Sequence, residues 1–166
     1  MSGPARIDLP RPADTAALAD VHVTGWREAY GALLPPRFFD AEARAHRLRT
    51  WELITRWHPE RLAQRVRIGR DAQGTAIGFA LVGPTGDDPP VRAREVQALY
   101  VLSPWYGTGT GAALLEPLIG SAPAGLWVAE RNPRARRFYE KMGFRADGAR
   151  KTDPALEDLA EIRMLR

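Results

Sequence analysis

Three glycines in five residues form the most informative loop of this chain: Gly107, Gly109 and Gly111. Because glycine lacks a Cβ, such a loop turns tightly and brings backbone N–H groups close to a ligand. The apolar residues that follow predict a helix beginning near Thr108, and a helix start carries unpaired N–H donors and a positive dipole end. This combination favours an anionic ligand such as a phosphate or pyrophosphate. On the loop alone, a glycine-rich turn that only joins a strand to a helix is an equally good interpretation.

Two well-known phosphate-binding motifs fit this loop poorly. A P-loop requires a lysine after its last glycine, whereas Ala112 follows Gly111 here. A dinucleotide fingerprint requires G-x-G-x-x-G, and the third glycine comes one residue early. Glu130 lies about 20 residues further on, where the ribose partner is expected, so the dinucleotide interpretation stays open at this point.

A second segment, residues 132–144, has the features of a well-bounded helix. Asn132 is a good N-cap, Pro133 suits the first helical position, and Gly143 suits the residue after the end. Tyr139 lies on the apolar face and points toward the body of the protein, where its hydroxyl needs a hydrogen-bond partner. Taken alone, a core tyrosine bonded to a carbonyl group is the simpler explanation. The residues that share this face are Ala135, Phe138, Tyr139 and Met142.

The elements that position these segments follow from apolar periodicity, caps and turns. A β-branched and aromatic run at 95–102, closed by Ser103 and Pro104, predicts a strand that leads into the glycine-rich loop. A strand at 126–130 is expected to run parallel to it, because a helix joins the two. These strands, a hairpin and the helices indicate an α/β fold with a mixed β-sheet flanked by helices. The other predicted elements are a strand at 6–9, a helix from Asp14 or Thr15 to Tyr30, a helix over 38–57, a hairpin with strands at 66–70 and 75–82, and an edge strand at 161–165.

Two residues interrupt these patterns. Gly78 lies inside the second hairpin strand and indicates a bulge or a close backbone approach. Pro117 lies inside the helix after the glycine-rich loop, where it predicts an early end or a kink.

Length, charge and composition fit a single domain over residues 1–166. The 24 lysines and arginines are scattered and no nucleic-acid-binding motif is present, so we expect no nucleic-acid partner. No apolar run approaches about 18 residues, and the first residues lack a signal-peptide pattern, so we expect a cytoplasmic protein without a membrane partner. The chain has no cysteine, which excludes disulfides and a cysteine nucleophile. Its three histidines lack metal-like spacing, so no metal is expected.

The chain resembles the GCN5-related N-acetyltransferase (GNAT) superfamily in two segments. The superfamily loop pattern Q/R-x-x-G-x-G/A falls on residues 106–111, with Tyr106 in the place of the usual Gln or Arg. The pattern N-x-x-A-x-x-F-Y-x-x-x-G-F is matched at Asn132, Ala135, Phe138, Tyr139, Gly143 and Phe144. Two motifs in the same order are much more specific than either one alone. The resemblance is strong over residues 95–144.

By this resemblance the protein is an acetyl-CoA-dependent N-acetyltransferase with the acyl-CoA N-acyltransferase fold of that superfamily. The resemblance implies that Asn132 contacts the pantetheine arm and that Tyr139 protonates the leaving thiolate as a general acid. Members of the superfamily often carry a glutamate at the position of Glu95 that deprotonates the acceptor amine, directly or through water. The implied acetyl-CoA contacts on the strand and loop are Leu99, Tyr100, Val101, Tyr106, Gly107, Thr108, Gly109, Thr110 and Gly111.

The central strand offers chemistry that agrees with this assignment. Period-two alternation places Glu95, Gln97, Leu99 and Val101 on one face. A backbone N–H near Leu99 is suited to polarise the acetyl carbonyl. For Glu95, a solvent-facing residue at a strand end is an equally good explanation, because strand starts are uncertain by about two residues. Direct transfer is expected rather than an acyl-enzyme, since the chain has no cysteine and no evident Ser-His pair.

The acceptor stays open between a small-molecule amine and a protein N-terminus. Trp26 and Tyr30 lie one turn apart near a helix end and, with Glu95 and Gln97, are expected to line an acceptor pocket; core packing is the simpler explanation for each aromatic residue alone. A catalytically silent acyl-CoA-binding regulatory module is the alternative function. A nucleotide-binding protein is weaker, because only 36 residues follow Glu130. The resemblance also allows a homodimer, since dimers are common in the superfamily.

Overall fold

A computed structural model of the chain describes residues 5–166. The predicted mixed β-sheet with flanking helices is confirmed: β4 and β5 pair in parallel, whereas the pairs β1/β2, β2/β3, β5/β7 and β6/β7 are antiparallel. The strands are β1 (Arg6–Asp8), β2 (Val66–Arg70), β3 (Ala76–Pro84), β4 (Arg94–Val101), β5 (Gly125–Ala129), β6 (Arg145–Asp153) and β7 (Leu159–Leu165). The helices are α1 (Thr15–Tyr30), α2 (Ala41–Ile54), α3 (Pro59–Arg65), α4 (Thr110–Ile119) and α5 (Pro133–Lys141).

The chain divides into two compact units. The first unit comprises the residues up to 81 together with residues 98–120, and its strands follow the order β1, β2, β3, β4. The second unit comprises residues 82–97 and 121–166, and its strands follow the order β4, β5, β7, β6. Strand β4 therefore contributes its first half to the second unit and its last half to the first.

The core of the first unit forms where α1, α2 and α3 contribute apolar side chains beside β2 and β3. Leu18 and Val21 are buried there, as their helical spacing predicts. Burial of such side chains provides most of the stabilisation that short helices need. The other buried members of this cluster are Ala19, Trp51, Ile54, Leu62, Val66, Ile68, Ala76 and Phe79.

The predicted helix over 38–57 is shorter than expected and is followed by a second helix. Helix α2 begins at Ala41 because Asp40 caps it, with the side chain of Asp40 accepting the N–H of Ala43 at 2.9 Å. Helix α3 was not predicted; it begins with Pro59, a residue suited to the first helical position.

Asp14 precedes α1 as predicted, but its side chain does not cap the helix. Its carboxylate instead accepts hydrogen bonds from the guanidinium of Arg70 at 2.7 Å and from the N–H of Arg11 at 2.7 Å. The side chains of Asp14 and Arg70 are only 9% and 6% exposed, and Asp8 also pairs with Arg70 at 3.1 Å. Although burial acts to raise it, the pKa of Asp14 is lowered by the bonds and charges of Arg70 and Arg11. A buried ion pair therefore replaces the expected cap.

In the second unit, α5 has the predicted boundaries. The side chain of Asn132 accepts the N–H of Ala135 at 3.1 Å, Pro133 begins the helix, and Gly143 follows its end with φ of +90°. The prediction of an edge strand at 161–165 is wrong, because β7 lies between β5 and β6. The edge is β6, whose mostly exposed and charged residues suit an unpaired strand border.

Helix α4 carries Pro117 in its last turn and ends two residues later at Ile119. This agrees with the predicted early end, since proline removes one helical hydrogen bond.

Candidate active site

The glycine-rich loop joins the end of β4 to the start of α4. A 3-10 turn at Ser103–Trp105 follows the strand, and Gly109 precedes the first residue of the helix. Gly107 and Gly109 have φ values of +76° and +85°, which side-chain-bearing residues rarely adopt. A Cβ added at either glycine would meet no atom within 4 Å. The loop thus leaves room beside its backbone at a helix start, the arrangement that suits a phosphate group.

Two threonines complete this loop. The hydroxyl of Thr108 donates to the carbonyl of Trp105 at 2.8 Å, and the hydroxyls of Thr108 and Thr110 lie 2.7 Å apart. Thr110 is buried at the first position of α4, whereas Thr108 is exposed. These bonds fix the conformation of the loop between the two glycines.

Glu28, which the sequence did not single out, holds the loop from α1. Its carboxylate accepts the N–H of Ser103 at 3.0 Å, the hydroxyl of Ser103 at 2.7 Å and the hydroxyl of Tyr106 at 3.1 Å. Tyr106 occupies the position where the resembled pattern has Gln or Arg, and its hydroxyl is used here for an internal contact. No local pattern predicts this, because Glu28 is 75 residues away from Ser103.

The last residues of β4, Leu99, Tyr100 and Val101, are half-buried. Tyr100 packs closely on α1: a Cβ added at Gly25 would lie 2.9 Å from the Cβ of Tyr100. Glycine at position 25 therefore allows the helix to approach the strand. The ring of Tyr100 stacks on His22 with centroids 5.5 Å apart.

Trp26 and Tyr30, the predicted acceptor-binding aromatics, contact each other, and Tyr30 contacts the end of β4. Their ring centroids lie 5.1 Å apart in an edge-to-face arrangement, and the hydroxyls of Tyr30 and Tyr100 are 3.4 Å apart. The guanidinium of Arg47 on α2 lies over the ring of Trp26, 4.4 Å from its centroid. The indole N–H of Trp26 is buried and has no hydrogen-bond partner among residues 5–166. An unmade hydrogen bond of this kind costs about 1–3 kcal/mol.

His22 lies beside this cluster and is a packing residue. Its Nδ1 accepts the indole N–H of Trp51 at 3.3 Å, and its ring contacts Phe79 edge-on at 5.0 Å. Burial, with a smaller contribution from the positive charges of Arg47 and His46, lowers the pKa of His22 to about 3. The ring is therefore neutral at physiological pH.

In the second unit, the predicted base Glu95 is half-buried and held by the chain that follows β3. One of its carboxylate oxygens accepts the hydroxyl of Thr85 at 2.7 Å and the N–H of Gly86 at 3.3 Å. The side-chain amide of Gln97 donates to the carbonyl of Pro84 at 3.0 Å. Both predicted residues thus contact the same short segment.

Glu161 on β7 is a second carboxylate near Glu95 that the sequence did not mark as functional. Its side chain is 18% exposed and lies 3.8 Å from the ammonium of Lys151. Burial raises the pKa of Glu161; the charge of Lys151 opposes this increase, and the charges of Asp153 and Glu95 add to it. A carboxyl group with a raised pKa near a second carboxylate is a typical candidate for proton transfer. The sequence around Glu161 reads as an ordinary strand with alternating charged residues, so it did not indicate a role for Glu161 in proton transfer.

Tyr139 and Asn132 both belong to α5. Tyr139 is 8% exposed and packs edge-on against Phe138 and Phe144, with centroid distances of 5.2 and 5.7 Å. The oxygen of the Asn132 side chain is used for capping, so its amide nitrogen is the group suited to donate to a ligand. Of the predicted site residues, the first unit brings together Trp26, Tyr30 and Tyr100 and separately forms the loop at 106–111. The second unit carries Glu95, Gln97, Asn132 and Tyr139.

Residues 5–166 contain neither a metal-binding cluster nor a membrane-spanning helix. Over residues 5–166, no group of three or more histidine, aspartate or glutamate side chains is arranged to hold a metal ion. In that same part of the chain, every helix is too short or too polar to cross a membrane.

Comparison with known proteins assigns the chain to a family. Residues 24–144 match the Acetyltransferase (GNAT) family, so the chain belongs to that family and is an N-acetyltransferase. It is 30% identical over 152 residues to the probable N-acetyltransferase Rv2775 of Mycobacterium tuberculosis, covering 86% of this chain and 81% of that protein. It is also 30% identical over 126 residues to the uncharacterized N-acetyltransferase YuaI of Bacillus subtilis, covering 72% of this chain and 69% of that protein.

Solved structures share the fold at lower sequence identity. The PaiA N-acetyltransferase of Thermoplasma acidophilum, in complex with coenzyme A, superimposes with a TM-score of 0.74 at 18% identity, covering 99% of each chain. YncA of Salmonella typhimurium, with its cofactor acetyl-CoA, gives a TM-score of 0.66 at 18% identity, covering 99% of this chain and 94% of that one. The fold predicted from the two sequence motifs is therefore confirmed.

Proposed function

We propose that the protein transfers the acetyl group of acetyl-CoA directly to a primary amine. The observation that carries this proposal is the glycine-rich loop before α4, where Gly107 and Gly109 leave the backbone open at a helix start. That arrangement suits the pyrophosphate of coenzyme A. Structures of the same fold with coenzyme A or acetyl-CoA support this choice of cosubstrate over a dinucleotide.

The residues proposed to bind acetyl-CoA divide by the part of the molecule they serve. Loop residues Tyr106 to Gly111 are assigned to the pyrophosphate and the backbone of Leu99, Tyr100 and Val101 to the acyl and pantetheine part. The side-chain nitrogen of Asn132 is assigned to the pantetheine arm. For Tyr106 we propose that the backbone contacts the pyrophosphate, because the Tyr106 hydroxyl already donates to Glu28.

The reaction requires two proton movements. The amine nitrogen must be neutral to attack the thioester carbonyl carbon, so a base removes its proton; the C–S bond then breaks and the thiolate accepts a proton. Glu95 is the proposed base and Tyr139 the proposed acid. General acid–base assistance of this kind is typically worth about 10²- to 10⁴-fold in rate. A backbone N–H near Leu99 stabilises the oxyanion in this scheme.

Transfer is proposed to be direct, because no cysteine is available to form a thioester intermediate. Residues 1–166 are proposed to act as one functional N-acetyltransferase domain in the cytoplasm, on a small-molecule amine or a protein N-terminus. Trp26, Tyr30 and Gln97 are the proposed acceptor contacts.

Isothermal titration with acetyl-CoA, coenzyme A and NAD tests the cosubstrate. Micromolar binding of acetyl-CoA without binding of NAD is the expected result, and binding of NAD alone would restore the dinucleotide interpretation. Thiol release is then measured against a library of primary amines. Acetyl-CoA binding without release for any amine would identify a silent acyl-CoA-binding module instead of an enzyme.

Tyr139→Phe tests the proposed acid. We expect kcat to fall at least about 10²-fold with unchanged acetyl-CoA affinity, because the substitution removes only the hydroxyl. If Tyr139 is only a core residue, kcat stays the same and thermal unfolding shifts instead.

A further inference from the structure

We propose that Arg47, together with Trp26, Tyr30 and Tyr100, binds a carboxylate group of the acceptor, so that the preferred acceptor is an amine that also carries a carboxylate. We call these four residues the Arg47 cluster. The inference rests on the proposed function, since it concerns the second substrate of the same reaction. All four residues belong to the first unit.

Within the part of the chain that the structure describes, the guanidinium of Arg47 lacks an anionic partner. Among residues 5–166 it makes no hydrogen bond or ion pair, and its contact is the ring of Trp26, 4.4 Å from the centroid. The side chain is half-buried, and burial lowers the pKa of Arg47. Withdrawing a charged group from water without a counter-ion is unfavourable, so a site of this kind attracts an anion.

Two other arginines of the first unit, Arg70 and Arg44, are paired with carboxylates. Arg70 contacts Asp14 and Asp8 at 2.7 and 3.1 Å. Arg44 lies one turn before Arg47 on α2 and pairs with Asp20. Arg61 also stacks on an indole ring without a carboxylate partner among residues 5–166, but its side chain is exposed. Arg47 differs from it in being half-buried.

The neighbours of Arg47 are suited to a carboxylate and to an apolar substituent. The hydroxyls of Tyr30 and Tyr100 lie 3.4 Å apart, and the ring of Tyr30 lies 5.1 Å from the ring of Trp26, over which Arg47 stacks. The nearby indole N–H of Trp26 is buried without a partner. Planar guanidinium groups bind carboxylates through two parallel hydrogen bonds. Arg47 carries one positive charge, and the neighbouring His22 is neutral. The cluster therefore matches the single negative charge of a carboxylate better than the double charge of a phosphate.

The position of the cluster links it to the acceptor. Tyr100 adjoins Leu99, whose backbone N–H is the proposed partner of the acetyl carbonyl. In this proposal, an amine that reacts there extends along the end of β4 toward Tyr100. A carboxylate on that molecule then lies within the part of the first unit that holds Arg47. The aromatic rings of Trp26 and Tyr30 are suited to contact the apolar part of such an acceptor.

The test compares pairs of amines that differ only in a carboxylate: phenylalanine against phenethylamine, and leucine against isoamylamine. For the native protein we expect kcat/KM to be at least about 10²-fold higher for the amino acid of each pair, since a buried charge would otherwise stay unpaired. For Arg47→Met we expect this ratio to fall to about one, with an unchanged affinity for acetyl-CoA. Arg47→Lys keeps the positive charge but lacks the planar guanidinium group that binds a carboxylate through two hydrogen bonds. It should give an intermediate ratio of the two kcat/KM values.

Arg61→Met is the matched control, because Arg61 is exposed and lies 4.0 Å over the ring of Trp57 in a similar stacking contact. It should leave the ratio unchanged. A native preference for the decarboxylated amines, or an equal ratio in the native and Arg47→Met proteins, would overturn the inference.

A binding measurement separates this inference from the proposed function. N-acetylphenylalanine and N-acetylphenethylamine are titrated into the native and Arg47→Met proteins, which requires no catalysis. Binding of N-acetylphenylalanine that is lost in Arg47→Met supports the carboxylate site, even if no amine is acetylated. Equal binding of both compounds to both proteins contradicts it. Urea denaturation of Arg47→Met shows whether the variant keeps the native free energy of unfolding, so that lost binding is not caused by a destabilised fold.

Discussion

The carboxylate of Glu28 accepts both the backbone N–H and the hydroxyl of Ser103, at 3.0 and 2.7 Å. These two bonds join helix α1 to the turn that follows β4. A third bond from the hydroxyl of Tyr106, at 3.1 Å, extends the contact to the first residue of the glycine-rich loop. Hydrogen bonds to a charged group are each typically worth about 1.5–3 kcal/mol. Glu28 therefore holds the proposed pyrophosphate-binding loop in one conformation before any ligand arrives.

Glu28→Ala is expected to weaken acetyl-CoA binding about 10-fold, because a loop that must become ordered on binding reduces the affinity. Isothermal titration with acetyl-CoA measures this change. Glu52→Ala is the control, since Glu52 is exposed on α2. Equal dissociation constants for the Glu28→Ala and native proteins would show that the loop keeps its conformation without this carboxylate.

The sequence predicted the parts of the site that depend on local signals. The glycine-rich loop and the helix capped by Asn132 follow from backbone requirements of neighbouring residues, and both are found where expected. The contacts of Glu28 with Ser103 and of Asp14 with Arg70 join residues 75 and 56 positions apart, and no local pattern specifies them. Strand β7 was predicted, but its position between β5 and β6 was not, because the order of strands depends on pairings between distant segments that no local pattern specifies.

Glu95→Gln tests the proposed base. We expect kcat for the best amine of the library to fall about 10²- to 10⁴-fold, because glutamine accepts the hydrogen bond of Thr85 but cannot take up the amine proton. Acetyl-CoA affinity should not change. The measurement is the rate of thiol release at saturating acetyl-CoA.

Glu161→Gln is the comparison variant for this test, since Glu161 is the nearby carboxylate with a raised pKa. The proposed role of Glu95 predicts a much smaller loss of kcat for Glu161→Gln. A large loss for Glu161→Gln with none for Glu95→Gln would move the base to β7.

Gly78→Ala is expected to destabilise the fold by about 1–3 kcal/mol, the typical cost of overpacking. A Cβ at this position would lie 2.7 Å from the carbonyl oxygen of Tyr100 and 3.2 Å from Val101, so the backbone itself must shift. The close backbone approach that the sequence indicated is thus present. Urea denaturation measures the free energy of unfolding. Gly86→Ala is the control, because its Cβ would meet no atom within 4 Å; equal losses in both variants would contradict the steric explanation.

The depressed pKa of His22 makes a prediction about acid stability. Burial holds the pKa of His22 at about 3 in the folded protein, against an ordinary value of 6.5. Between these values the unfolded chain binds a proton that the folded protein does not. The free energy of unfolding therefore falls as the pH is lowered from about 6.5 toward 3. Above about 6.5, the full stabilisation that comes from the neutral, buried His22 is present.

Replacing His22 by glutamine should reduce the loss of stability between pH 7 and pH 5 by about 2 kcal/mol, the value that follows from the two pKa values at 1.36 kcal/mol per unit. Glutamine retains an acceptor for the indole N–H of Trp51 but does not titrate. Urea denaturation at both pH values gives the difference, so that a constant packing defect in the variant cancels. His46→Gln, at an exposed position on α2, serves as the control and should match the native protein. If His22→Gln loses as much stability as the native protein over this interval, His22 takes up its proton in the folded state too, and its burial does not control the acid sensitivity of the fold.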